Sequence, residues 1–342
     1  MTIKVLKKKK GEHLPHSVRV SLGSAINLGL VKGRLDAIPT TTYLLTHIEE
    51  KCLANCAFCP QARESKGRAD MLSRVSWPIF QTSKVIDALK VGVEKGNVRR
   101  ICIQALKHPE IFSELLTMVK EILSRIDVPI SVSCQPMNKE KMKQLAEVGV
   151  GRISIALDAA TEQIFDRVKG RLVKGPYIWK EQLGLLNKAV QVFGEGEVST
   201  HLIVGLGETE REMAQILQKC VDMGVLPALF AFTPVKGTAM EALPQPILSI
   251  YRRVQLCRYL IYHRIVRFED FRFDEKGRIM HYGVDKQVLE NIVLTGKPFV
   301  TSGCQDCNRP YYNEKPAGPI YNYPRSLTEK EKEKVMDDLG LN

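Results

Sequence analysis

TTYLLTHIEEKCLANCAFCPQAR, residues 41–63, joins an alternating run to a loop that carries three of the chain's nine cysteines. TTYLLTH (41–47), rich in β-branched and aromatic residues, reads as a strand. Cys52, Cys56 and Cys59 follow it at the spacing C-x3-C-x2-C. Three thiols this close in sequence can converge on one small object, and the chain around them must explain why a strand delivers them.

The strand pattern recurs outward from this stretch, at VRRICIQ (98–104), PISVSC (129–134), GRISIALD (151–158), EVSTHLIVG (197–205), LPALFAFT (226–233), VRFEDFRF (266–273) and PFVTS (298–302). Helix-period segments lie between them. One opens at Ser83, one begins with Pro109 in its first turn, one is NKEKMKQLAEVGV, and ETEREMAQILQKCVDMG carries acidic residues where the helix dipole favours them. Strands that alternate with helices in this way predict an α/β fold, a (β/α)8 TIM-type barrel over residues 41–303. Residues 1–40 are then an N-terminal extension, and 304–342 a loop-rich tail carrying a CxxC pair packed at the barrel mouth. An open doubly wound sheet is the alternative, but no GxGxxG follows the first strand. In a barrel the chemistry sits at the C-terminal strand ends, where the three-cysteine loop falls.

Composition sets outer limits. The 342 residues are 44% hydrophobic and 26% charged, enough for a substantial core. No apolar run approaches the ~18 residues of a membrane helix. The start, MTIKVLKKKKGEHLP, lacks the apolar stretch of a signal peptide, and the odd cysteine count does not suggest a secreted disulfide framework. A cytoplasmic protein with no membrane partner is the expectation. The net charge of +12 fits either a lysine-rich solvated surface or an acidic partner. Lys7 to Lys10 form a basic run without interleaved aromatics, so a base-stacking surface is not indicated.

The three thiols admit two objects. Zinc needs a fourth ligand, and His47 is the one nearby. A four-iron cluster held by three thiolates leaves one iron open to chelate a small molecule.

The motif C-x3-C-x2-C after a first barrel strand, with Phe58 just before the last cysteine, resembles the radical S-adenosylmethionine (SAM) superfamily. The resemblance implies a [4Fe–4S] cluster on Cys52, Cys56 and Cys59, with SAM on the open iron; electron transfer from the cluster, which an external donor reduces, cleaves SAM to methionine and a 5'-deoxyadenosyl radical. CPQ after the cysteines, ALD (156–158), LIVGLGE (202–208) and VKGT (235–238) are similar to biotin synthase. Carried over, Phe58 lies against the adenine, Asp158 accepts from the ribose hydroxyls, and Ile203 and Gly205 pack on the nucleoside. The plain alternatives are a helix N-cap for Asp158, since TEQIF follows, and ordinary core for Ile203. Biotin synthase has asparagines just before that aspartate; Ser154 and Ala156 stand here, so SAM contacts must differ.

Biotin synthase holds a second cluster on three strand cysteines and an arginine. Two positions match Cys102 and Cys134, and the third falls on Ser199. A strand cysteine alone is usually a small core residue. Cys304-x2-Cys307 in TSGCQDCNRPYYN offers replacements, although such a pair is also half a zinc site or a redox pair. With Cys102 and Cys134 it gives four thiols for an auxiliary [4Fe–4S] cluster; Cys220 and Cys257 read as packing.

Two clusters in such a barrel imply sulfur insertion at unactivated C–H bonds. The chain is most similar to the archaeal-type two-protein lipoyl synthases, which act on an octanoyl-lysine. The partners implied are an acidic carrier protein (a lipoyl domain or H protein) and a companion radical SAM protein. Biotin synthase acting on desthiobiotin, an RNA-modifying radical SAM enzyme and a zinc-binding scaffold are the alternatives; no RNA-binding module is recognisable.

Overall fold

The structure is a computed structural model that describes residues 14–134 and 137–341. The basic run Lys7 to Lys10 lies outside the described residues. In chain order the strands are β1 (Ser17–Val20), β2 (Thr41–Thr46), a small hairpin of β3 (Met71–Leu72) and β4 (Val75–Ser76), β5 (Ile79–Gln81), β6 (Arg100–Gln104), β7 (Ile130–Ser133), β8 (Val150–Ser154), β9 (Val198–Val204) and β10 (Val225–Ala231). Eight of them form one sheet in the order β10-β9-β8-β7-β6-β2-β1-β5. From β2 to β10 every neighbour is parallel, while β1 pairs antiparallel with both β2 and β5.

All six residues of β2 are buried, as a parallel strand covered on both faces requires. Helices supply the outer cover. They are α1 (Leu22–Asn27), α2 (Thr82–Glu94), α3 (Ile111–Leu123), α4 (Lys139–Glu147), α5 (Glu162–Val168), α6 (Trp179–Phe193), α7 (Glu210–Asp222), α8 (Leu248–Tyr262), α9 (Lys286–Leu294) and α10 (Glu329–Leu339). In α3 the buried residues Leu115, Met118, Val119 and Ile122 recur three and four apart, one stripe turned to the sheet. The α7 helix opens with a capping box in which Thr209 and Glu212 satisfy each other's backbone N–H groups. Among the described residues no helix is long and apolar enough to cross a membrane.

The α/β barrel-type architecture is the expected one, but its eight strands are not the expected eight. VRFEDFRF turns through a 3-10 segment, Phe268–Asp270, into the short strand Arg272–Phe273 of a separate hairpin. Its rings at 268, 271 and 273 stack on one another, which breaks the alternation a sheet strand needs. PFVTS also begins as a 3-10 turn, and Val300 makes a single bridge to Tyr323.

The sheet's remaining two strands, β1 and β5, come from elsewhere, and β1 lies within the segment expected as an extension. The tail is tied into the sheet. Thr301 N–H donates to Tyr323 O, Leu229 N–H to Ser302 Oγ, and Thr40 and Thr41 hydroxyls to Asp306 O. The segment from Thr301 therefore spans from edge strand β10 back to β2, and beyond it Arg74 donates to Tyr311 O and Glu314 O and Thr233 Oγ1 to Asn313 O, which holds the tail at the C-terminal ends of the strands as well. The α10 helix then packs on α8 and α9.

Candidate functional site

The inner face of the sheet follows from its register. Tyr43 pairs with Cys102, Cys102 with Ser131, and Ser131 with Arg152, so these four form one layer near the N-terminal ends of the strands. Leu45, Gln104, Ser133 and Ser154 form the next layer. These residues, with Asp158, His201, Ile203 and Phe230 higher up, line a single cavity of about 640 Å³. All seven cysteines singled out from the sequence line it, as do Phe58, Asp158 and Ile203. Gly205 does not; its N–H donates to the Glu208 carboxylate in the turn after β9 (2.7 Å).

At the C-terminal end the loop after β2 is pinned from several sides. Lys51 Nζ donates to Pro60 O and Gly67 O (2.7 Å each), and Gln61 Nε2 to Ala69 O and Met71 O (2.6 Å each). VKGT meets this loop directly, since Lys66 N–H donates to Gly237 O. Gly237 has φ +84°, and a Cβ there would lie 2.4 Å from Gly67 N, so only glycine allows the approach. Cys52 Sγ accepts N–H groups from Ala54 (3.4 Å) and Lys107 (3.1 Å). Burial raises the Cys56 thiol strongly and pushes Cys59 up to about 12; thiolate charge at the neighbouring cysteines and at Asp158 adds to the rise in both. Ionising Cys56 and Cys59 calls for compensating positive charge, which a metal centre supplies.

The donor set distinguishes the two objects. His47 Nδ1 lies 2.7 Å from Ser17 Oγ and is engaged there. Among the described residues no three His, Cys, Asp or Glu side chains are grouped for a single metal ion. A four-iron cluster asks for a different arrangement, one thiolate for each of several irons, and three thiols around a roomy cavity fit it.

Asp158 is not a helix cap: Thr161 caps α5, its side chain accepting from Ile164 N–H. Asp158 instead sits at φ +65°, bridged to Leu202, with Oδ2 accepting from Lys169 Nζ at 2.6 Å. Lys169 is fully buried and also donates to Ala156 O. A carboxylate has acceptor sites beyond this one.

At the N-terminal end the CxxC pair comes up beneath the strands. Arg100 Nε donates to Gln305 O, and Ser131 Oγ lies 3.9 Å from Cys304 Sγ. Tyr43 Oη lies 3.5 Å from Cys307 Sγ, and Arg309 N–H donates to the same hydroxyl. The Arg309 guanidinium caps the Phe230 ring, 3.8 Å from its centroid. Burial raises the Cys102 thiol, and Cys304 and Cys307 raise it further. Cys134 differs: burial alone pushes it up to about 12, with no other thiol acting on it. It lies past the end of β7, and Ser131 occupies the position level with Cys102. Of the four thiols expected to form one group, Cys102, Cys304 and Cys307 act on one another near the N-terminal ends of the strands, and Cys134 lines the same cavity from past the end of β7. Ser199 lines the cavity as a hydroxyl.

Several neighbours had no signal in the sequence. Lys169 and Tyr177 belong to a connection without periodicity. Tyr43 shares an inward face with Leu45 and was legible from alternation, whereas Arg309 two residues after Cys307 stood out only once the tail's path was known.

Comparison with known proteins agrees with this geometry. Biotin synthase of Clostridium acetobutylicum is 22% identical over 224 residues, covering 64% of each chain, so this chain spans just under two thirds of that relative. Biotin synthase of Synechococcus sp. is 24% identical over 264 residues, 73% of this chain and 77% of the relative. Methylornithine synthase (PylB) shares the fold, with a TM-score of 0.50 at 12% identity over 70% of this chain and 66% of its own. Residues 48–220, which hold the cysteine loop, Asp158 and Ile203, match the Radical SAM superfamily. The chain belongs to the radical SAM superfamily and is biotin-synthase-like.

Proposed function

We propose that this enzyme inserts sulfur into an octanoyl or mercapto-octanoyl chain carried on a protein lysine, making the lipoyl group. The observation that carries the proposal is the second group of thiols, Cys102, Cys304 and Cys307, facing the same cavity as Cys52, Cys56 and Cys59. When bound, a [4Fe–4S] cluster with SAM supplies the hydrogen-abstracting radical, and an auxiliary iron–sulfur cluster supplies the sulfur.

The chain's own residues do the rest. Cys52, Cys56 and Cys59 would each hold one iron and leave one position free. Phe58 and Ile203 offer apolar surface to the nucleoside, and Asp158, fixed by Lys169, offers its remaining acceptor sites to the ribose hydroxyls. Leu45, Leu106, Phe230 and Phe232 line the cavity between the two ends and give an acyl chain an apolar path that excludes water. At the other end Cys102, Cys304 and Cys307 would hold the auxiliary cluster, with Tyr43 and Arg309 donating around Cys307. Three thiols would leave one iron of such a cluster without a cysteine ligand among them, which would suit a cluster that gives up a sulfide.

The carrier is proposed to be acidic, drawn by the net charge of +12, with exposed Arg34 at the cavity rim. The partners are thus an octanoylated lipoyl domain or H protein, a companion radical SAM protein and an external electron donor. The test is anaerobic turnover of an octanoyl-lysine carrier with SAM and reductant, followed by mass spectrometry. A gain of sulfur on the acyl chain supports the proposal; sulfur appearing on desthiobiotin instead makes it a biotin synthase, the reading the relatives favour.

A further inference from the structure

Tyr177 is 2% exposed, and its hydroxyl has no hydrogen-bond partner among the described residues. A buried phenol normally finds one, so an orphan donor in a well-packed region calls for an explanation. The chain around it is arranged to bring the ring to one place. Gly175 N–H donates to Gly170 O, and a Cβ at Gly175 would stand 1.8 Å from Lys169 O, so no other residue permits this turn. The connection from α5 is tied to the cysteine loop three times. Ala57 N–H donates to Val168 O, Asn55 Nδ2 to Val173 O and Arg63 to Lys174 O.

The ring that follows is gripped by two cations. Lys107 Nζ lies 5.0 Å and Lys169 Nζ 5.2 Å from its centroid. Both lysines also belong to the surroundings of the thiols. Lys107 donates its own N–H to Cys52 Sγ, and Lys169 holds Asp158. Burial raises the phenol far above its ordinary range, and negative charge at Cys56, Cys52, Asp158 and Cys59 adds to the rise. The hydroxyl therefore keeps its proton.

We propose that Tyr177 is a positioning residue whose O–H donates to the sulfur framework of the cluster that Cys52, Cys56 and Cys59 would hold. A hydrogen bond to a cluster sulfur stabilises the more negative, reduced state and raises the reduction potential. The two lysines act in the same sense. The inference rests on cluster binding at those three cysteines and not on the acyl substrate.

The test is an EPR-monitored redox titration of the reconstituted full chain, without SAM, comparing wild type with Tyr177→Phe. The phenylalanine keeps the ring and its cation contacts, so packing is unchanged. The expected result is equal iron content, a midpoint potential shifted to more negative values and an altered EPR signal. Fluorinated tyrosine at position 177, a stronger donor of similar size, should move the potential the other way and serves if the phenylalanine variant does not fold. Unchanged potential and spectrum in the folded variants would overturn the proposal. A wild type that takes up no iron would overturn the cluster assignment beneath it, and iron content tells the two failures apart.

Discussion

At the C-terminal end of the strands three thiols come from one loop between Cys52 and Cys59, fixed by backbone and lysine contacts within that loop. At the N-terminal end one thiol comes from β6 and two from a segment that arrives after the whole barrel has been built. The first trio is local in sequence, although Lys107, Val168 and Gly237 from later segments help to pin its loop. The second exists only if the tail crosses from β10 to β2. Under the proposed function this separation would let the radical source at one end and the sulfur source at the other be loaded and consumed independently.

Breaking the first end should have the largest effect. Cys56→Ala is expected to abolish reductive cleavage of SAM, read as loss of 5'-deoxyadenosine, since three thiolates are the full protein ligand set there. Breaking the second end should separate the two functions. Cys304→Ala with Cys307→Ala is expected to keep SAM cleavage while sulfur insertion disappears; a double variant that still transfers sulfur would remove the auxiliary role. Cys134→Ala sharpens the same comparison, because the account expects it to retain full iron.

A third prediction concerns what links the loop to the sheet. Lys169 is fully buried against Asp158, and removing one partner of a buried pair leaves an uncompensated charge. Lys169→Met should cost about 3–5 kcal/mol of stability, read from the denaturant midpoint. The smallest effect belongs to the tail. Burial raises the Glu314 carboxyl to about 7, above its unfolded value, so the folded state holds the proton more tightly. That contribution is present at low pH and fades as pH rises through about 7. Glu314→Gln should flatten the pH dependence of the melting temperature over that interval; an unchanged slope would remove Glu314 as its source.

The same contrast explains what was legible in the sequence. The loop at Cys52, Cys56 and Cys59 and the parallel strands from β2 to β10 were readable because spacing and alternation are local properties. VRFEDFRF misled because its aromatics satisfy a strand pattern while packing on each other at 268, 271 and 273. The level of Cys134 was not readable for a related reason. Its strand ends at Ser133, and register with β6 puts Ser131, not Cys134, beside Cys102. Register and the path of the tail are long-range properties, and a single sequence carries no direct record of them.

The central claim is that one cavity serves two independent iron–sulfur sites. Iron and labile sulfide after anaerobic reconstitution, in wild type and in the Cys52, Cys56 and Cys59→Ala variant, test it most directly. The account predicts about eight irons falling to about four. About four falling to none would leave the radical SAM site intact and contradict the second site, and with it the sulfur source.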